Sequence, residues 1–287
     1  MNDFFKYHGL GNDYLVIEPG RFLGKLSPAA VRLICNRNRG VGSDGILWGP
    51  LAAQDPAPRV SIFNPDGSEA EKSGNGLRIF ARHLWERRLI AQRRFAIATL
   101  AGEVEVEVLD DTGSMIAIAM GQVRFDSQAI PMTGPAREVI RESLHAGGEV
   151  WTVTAANIGN PHCVVPVAEP SEALARRIGP LIERHESFPR RTNVQFMRKV
   201  DDHAIRIEIW ERGAGYTSAS GSSSCAAAAA ARRLGLVQSP ISVHMPGGIL
   251  RVELDLEDRA RLTGPVAAVA HGDFHRDFLA ELGLVRR

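Results

Sequence analysis

Apolar and polar residues alternate in short runs along most of this chain, and Gly, Asp and Pro punctuate the runs. In the first half this period-two pattern predicts strands over 14–18, 60–63, 95–98, 104–108 and 114–120, with helices over 28–36 and 76–88. The second half repeats the style. Strands are expected over 151–155, 162–165, 193–198, 205–210, 241–244 and 250–254, with helices over 171–178 and 222–234. Many short strands with one small-residue helix per half predict an α+β fold of two domains, each a curved, mostly antiparallel sheet or barrel wrapping a central helix. Residues 225–231 are almost all Ala, which permits the close backbone approach that an enclosed helix needs and also makes a strong helix former. The expected domains are 1–120, rejoined by 266–287, and 121–265.

Two stretches look like copies of one device. Asn64-Pro-Asp-Gly is followed nine residues after Asn64 by Ser73-Gly-Asn-Gly, and Glu211-Arg-Gly-Ala nine residues after Glu211 by Ser220-Gly-Ser-Ser. In each, a β-patterned run leads into a Gly-rich turn, and Ser-Gly then opens a helix. Unpaired amides and the macrodipole make such a helix start attractive to a carboxylate or phosphate, and Gly allows close approach. A matched pair predicts a duplicated fold with a ligand cleft between the halves.

Composition narrows the function classes. At 287 residues there is room for two cores, and the net charge of +1, without a basic block, argues against a nucleic-acid surface. The first residues, Met-Asn-Asp-Phe-Phe-Lys, have neither a basic leader nor an apolar segment, and no run is long enough to span a bilayer, so a cytoplasmic protein without membrane association is expected. Cys35, Cys163 and Cys225 form no metal-spaced pair, and neither a disulfide framework nor a metal site is indicated. No dinucleotide or phosphate-loop signature appears, and no cofactor is expected.

Six segments in register resemble the diaminopimelate epimerase family: His8-Gly-Leu-Gly-Asn-Asp-Tyr14, Arg39 to Gly45, Phe63 to Gly76, Gly159-Asn-Pro-His162, Arg191-Thr-Asn-Val194 and Trp210 to Gly215. The resemblance implies two pseudo-symmetric domains and cofactor-free inversion of an amino-acid α-carbon between two cysteines, one thiolate base and one thiol acid. In this sequence both positions are serine, Ser73 and Ser220. It further implies that His162 and Glu211 sit beside the reacting groups as candidate proton carriers. Asn12, Asn64, Asn160, Asn193 and Arg212 match its ligand contacts, Arg212 suiting a distal carboxylate. Gly74, Asn75, Gly221 and Ser222, at the two helix starts, complete the candidate substrate site. The expected partner is a small amino-acid-like molecule, and a homodimer is the assembly left open.

The serines change the chemistry. A thiol ionises near pH 8.5 and an alcohol near 15.7, a gap of about 10 kcal/mol that a helix dipole of at most ~2 kcal/mol cannot offset. Ordinary two-thiol epimerisation is therefore not expected. Cys225, five residues along the helix from Ser220, and Cys163, on the strand face opposite His162, are poor replacements. Tyr216 stands where the family has Glu, and Ser222-Ser223-Ser224 where it has Thr-Gly-Ala. Proton transfer at an α-carbon is the leading reading. The alternatives are a dehydratase or double-bond isomerase on an activated acid, and a binding protein that has lost catalysis.

Overall fold

The computed structural model describes residues 2–51 and 57–286. The chain divides into two compact units, residues 1–118 with 264–287, and residues 119–263. Its α-helices are α1 (Pro28–Cys35), α2 (Gly74–Glu86), α3 (Glu172–Glu183), α4 (Gly221–Arg233) and α5 (Arg276–Glu281).

In the first unit Asp3–Gly9 pairs antiparallel with Asn12–Ile17 and with Ala267–Asp273. The chain crosses through α1 and returns as Ile46–Leu51, parallel to Asn12–Ile17, with Arg59–Phe63 antiparallel beside it. After α2, Arg94–Thr99 re-enters parallel to Arg59–Phe63, and Gly102–Val108 and Met115–Gln122 follow antiparallel. The second unit runs through the same order. Glu149–Asn157 and Pro161–Pro166 are antiparallel, α3 crosses, and Asn193–Asp201 lies parallel to Pro161–Pro166 with Ala204–Glu211 antiparallel to it. After α4 comes Ile241–Met245, parallel to Ala204–Glu211, then Gly248–Leu254 and Arg259–Pro265. The repeated order of pairings is the duplication that the twin Ser-Gly turns foreshadow.

Each unit places one helix against the concave face of its sheet. Strands Glu149–Asn157, Pro161–Pro166, Asn193–Asp201, Ala204–Glu211, Ile241–Met245 and Gly248–Leu254 all pack on α4. Ala226 through Ala231 are consecutive and all fully buried. At 3.6 residues per turn, six such neighbours cover every side of the helix, so the sheet encloses it. Alanine supplies the thin surface this requires. In the first unit α2 packs on Asp3–Gly9, Asn12–Ile17 and Gly102–Val108, and fills its space with Leu77, Ile79, Phe80 and Leu84.

Strand alternation separates two environments across the second sheet. Val153, Ala155, Cys163, Val165, Val194 and Phe196 form an apolar cluster with Ala175, Ile178 and Ile182 of α3. The intervening residues, His162 and Gln195 among them, take the other face. Gly179 lets α3 approach closely, since a Cβ there would stand 2.6 Å from the Cβ of Trp210.

Several elements lie outside the sequence expectation. Helix α2 starts at Gly74, two residues before the expected 76, because Ser73 caps it. Asp3–Gly9 was not expected as a strand: its inward alternation places Asp3, a charge paired with Arg21, on the same face as Phe5 and Tyr7. Ala267–Asp273 has no apolar face and is mostly exposed; its pairing with Asp3–Gly9 makes it a strand. Ile46–Leu51, Glu142–Ala146 and Arg259–Pro265 also escaped the periodicity reading.

Enclosure of α4 predicts that Ala228→Leu lowers unfolding stability by about 1–3 kcal/mol or more, because the added methylenes have no space. Leu256→Ala, at a fully exposed position, should leave the urea midpoint unchanged. Urea titrations of both variants check this.

Candidate active site

Both helix starts carry a serine cap with extended backbone. Ser73, at φ −140° and ψ 119°, accepts through Oγ from the Gly76 amide at 3.0 Å. Ser220, at φ −151° and ψ 128°, accepts from the Ser223 amide at 3.4 Å. An N-cap satisfies one of the amides left open by the first helical turn, which matters most where that turn is buried.

Around Ser73 the first unit gathers Asn12, Asn75 and Gly74. Asn12 donates through Nδ2 to Asp44 at 3.0 Å and accepts through Oδ1 from Asn75 at 3.1 Å. Asn75 in turn accepts from the buried Arg78 at 2.6 Å. Asp44 and Asp13 share the Arg37 guanidinium, so an ionic cluster backs the Asn12 amide. Asn64 is held within its own turn, its Nδ2 donating to Ser68 Oγ at 3.0 Å. A residue that the sequence reading passed over stands nearer: the Tyr14 hydroxyl lies 3.2 Å from Ser73 Oγ.

Around Ser220 the second unit gathers Glu211, Asn193, Arg212, His162 and Asn160. The Ser220 hydroxyl hydrogen-bonds to the Glu211 carboxylate, which desolvation holds above its ordinary pKa, the Ser220 bond offsetting only part of that rise. Asn193 donates to the Pro161 carbonyl at 2.9 Å and accepts from the Arg212 amide at 2.9 Å, tying two of the distant motifs together. Arg212 is exposed, its Nη1 donating to the Arg190 carbonyl at 3.1 Å. Gly221 is buried and Ser222 half-buried at the first turn of α4.

His162 is fully buried. Asn160 Oδ1 can only accept, so His162 donates to it through Nε2, at 2.9 Å, and Nδ1 is left to accept from Gln195 at 3.1 Å. Gln195 also donates to Ser223 Oγ at 3.0 Å, which links the imidazole to the first turn of α4. Burial drives the His162 pKa down to about 3, with the Arg212 charge adding to the effect, so the ring is neutral at physiological pH.

Glu183 and Gln195 carried no sequence signal, since each is a single polar residue within an element. Glu183 is buried, accepts from Trp210 Nε1 at 2.7 Å and from the Gly213 amide at 3.1 Å, and so pins the turn that bears Glu211 and Arg212. None of the three cysteines stands at either cap position. Cys163 points into the apolar cluster beneath α3, where burial raises its thiol pKa strongly; Cys225 is enclosed within α4; burial also raises the Cys35 thiol.

The diaminopimelate epimerase family model matches residues 4–125 and 154–269. The protein named diaminopimelate epimerase 2 of a Nostoc species is 50% identical over 277 residues, 96% of this chain and 97% of that protein. This chain belongs to the diaminopimelate epimerase family. The diaminopimelate epimerase of Moorella thermoacetica is 37% identical across 96% of the chain and 99% of its own length. The fold is also that of a probable proline racemase from Agrobacterium radiobacter K84, at TM-score 0.69 and 15% identity, covering 99% of this chain and 96% of that one. Membership of this epimerase family places the chain among the isomerases. Among the described residues no helix is long and apolar enough to cross a membrane.

The depressed His162 pKa has a stability consequence whose sign is fixed. The native state keeps the ring neutral, whereas the unfolded chain takes up a proton below the ordinary imidazole value of 6.5. Stability is therefore complete above that value and declines as pH falls toward about 3, by up to ~1.4 kcal/mol per pH unit from this residue. In His162→Gln the decline between pH 6 and pH 4 should be shallower by about one proton equivalent. Urea unfolding across that range measures the slope, which is independent of any constant loss caused by the substitution.

Proposed function

We propose that this protein interconverts stereoisomers of diaminopimelate, or of a closely similar amino diacid, by proton transfer at the α-carbon, using hydroxyl and carboxylate groups where the family resemblance calls for thiols. The observation that carries the reading is the Ser220 hydroxyl, held between the Ser223 amide and the desolvated Glu211 carboxylate. Serine alone is about 10 kcal/mol short of a thiol as an acid. Glu211 removes the need for a free alkoxide. As Ser220 Oγ takes the α-proton, its own proton passes to Glu211: the Cα–H and Ser O–H bonds break, and a new Ser O–H and a Glu O–H form. Desolvation strengthens the carboxylate as a base by raising its pKa.

The remaining groups are assigned to binding. The amides at Gly74, Asn75, Gly221 and Ser222 suit a carboxylate at a helix N-terminus. Asn12, Asn64, Asn160 and Asn193 supply polar contacts, and the exposed Arg212 guanidinium receives the distal carboxylate. In this reading His162, buried and neutral, holds Asn160 and Gln195 in place, and proton transfer falls to Glu211.

The test is α-hydrogen exchange in deuterium oxide with the stereoisomers of diaminopimelate and a panel of monocarboxylic amino acids, followed by NMR and chiral chromatography. Exchange and isomer interconversion are expected with diaminopimelate. Glu211→Gln should slow exchange by about a hundredfold or more, and Arg212→Ala should raise KM for the diacid. Because the ionised carboxylate is the active form, the rate should climb with pH through a midpoint above the ordinary Glu range. No exchange on any compound would sink the proposal, and loss of water detected by mass spectrometry would replace it with dehydration.

A further inference from the structure

We propose that Tyr14 is the proton source behind Ser73: the phenol donates to Ser73 Oγ while Ser73 hands its own proton to the substrate carbon. This rests on the α-carbon proton-transfer reading above. It gives the Ser73 centre a role that the serine could not fill alone.

The pair is built into the first unit. Tyr14 is buried at 7% exposure, and its hydroxyl reaches Ser73 Oγ at 3.2 Å. Its ring occupies a slot that exists because position 45 is glycine, where a Cβ would stand 2.5 Å from Tyr14 Cε1. Gly76 performs the same service for Ser73, since a Cβ there would lie 3.2 Å from both the Cβ and the Oγ of that serine. Two glycines from separate segments thus admit the two hydroxyls to one another. Ser73 itself is half-buried, unlike the tyrosine behind it.

The bonding capacity of a hydroxyl accommodates this direction. Serine has one proton to donate and two lone pairs to accept with. At Ser73 the Gly76 amide takes one lone pair at 3.0 Å, and in the proposed relay the Tyr14 phenol, 3.2 Å away, donates into the second. The serine proton is left for a third partner, so Ser73 is arranged as a donor. At Ser220 the amide of Ser223 again occupies one lone pair, but the proton points to Glu211 and a lone pair stays open. That centre is arranged as an acceptor. The two caps therefore have opposite polarity toward a proton.

The energies agree with this division. A phenol ordinarily ionises near pH 10 and a thiol near 8.5, a gap of about 2 kcal/mol, against about 10 kcal/mol for an unaided alcohol. In the transfer the Ser73 O–H bond breaks as the substrate C–H bond forms, and the Tyr14 O–H bond breaks as Ser73 regains a proton. The carbanion's charge ends on the phenolate. In reverse the phenolate withdraws the proton through the same serine.

The experiment compares four full-length proteins in the deuterium-exchange assay with diaminopimelate: the parent, Tyr14→Phe, Ser73→Cys and the double variant. Phenylalanine keeps the ring in its slot and removes only the hydroxyl. Tyr14→Phe should lower kcat about a hundredfold with KM unchanged in the parent, and by less than about threefold in the Ser73→Cys background, where the thiol needs no relay. Equal losses in both backgrounds, or no loss in the parent, would overturn the relay while leaving the proposed function standing. A parent that exchanges nothing removes both readings together. As a check that does not depend on the cysteine variant being active, difluorotyrosine at position 14, a more acidic phenol, should move the alkaline limb of the pH profile downward; an unmoved limb overturns the relay.

Discussion

A helix end buried inside a sheet has no water for its first amides, and that requirement organises both units. Asn75 and Gly76 are buried at the start of α2, as are Gly221, Ser223 and Ser224 at the start of α4. Something must accept from those amides, and the cap hydroxyl takes one of them in each case, that of Gly76 in α2 and that of Ser223 in α4. A sulfur is a weaker acceptor than an oxygen. Serine at these two positions therefore favours the helix start while giving up an easily ionised proton, so fold stability and reactivity pull in opposite directions at the same atom.

What each cap can do next depends on its second neighbour. Ser220 has a desolvated carboxylate and Ser73 has a phenol, so two identical residues in near-identical backbone conformations differ in their hydrogen-bonding neighbours by one contact each. The neighbours are themselves held firmly. Glu183 fixes the turn that carries Glu211, and the slot opposite Gly45 fixes Tyr14. His162 shows the same logic in another form: complete burial makes it a poor proton carrier and a good rigid strut between Asn160 and Gln195.

The second sheet keeps these polar groups from weakening the core. Its α3 side is apolar throughout the cluster around Cys163, Val194 and Phe196. Its other side carries His162 and Gln195 toward the start of α4, where Ser223 meets Gln195. One-residue alternation along a strand is enough to place a buried hydrogen-bond chain beside an apolar layer without mixing them. His162 Nε2 and Nδ1, Gln195 Nε2 and Ser223 Oγ each have a partner in that chain, which limits the cost of burying them, whereas the buried Gln195 Oε1 has none among the described residues.

The sequence by itself determined the α+β class, the enclosed alanine helix, the duplicated Ser-Gly starts and the family, because each is written in local periodicity or in contiguous motifs. The Asp3–Gly9 and Ala267–Asp273 strands were not legible there, since a buried Asp3 and a nearly featureless exposed run become strands through pairing with each other. The same holds at the candidate site. Ser73, Ser220, Glu211 and His162 could be picked out from motif positions, but their chemical character could not. Only the tertiary structure decided that His162 is sealed and neutral, that Glu211 is desolvated against Ser220, and that Tyr14 stands behind Ser73. Proton affinity and hydrogen-bond direction are set by what surrounds an atom in space, and those surroundings come from segments far apart in the chain.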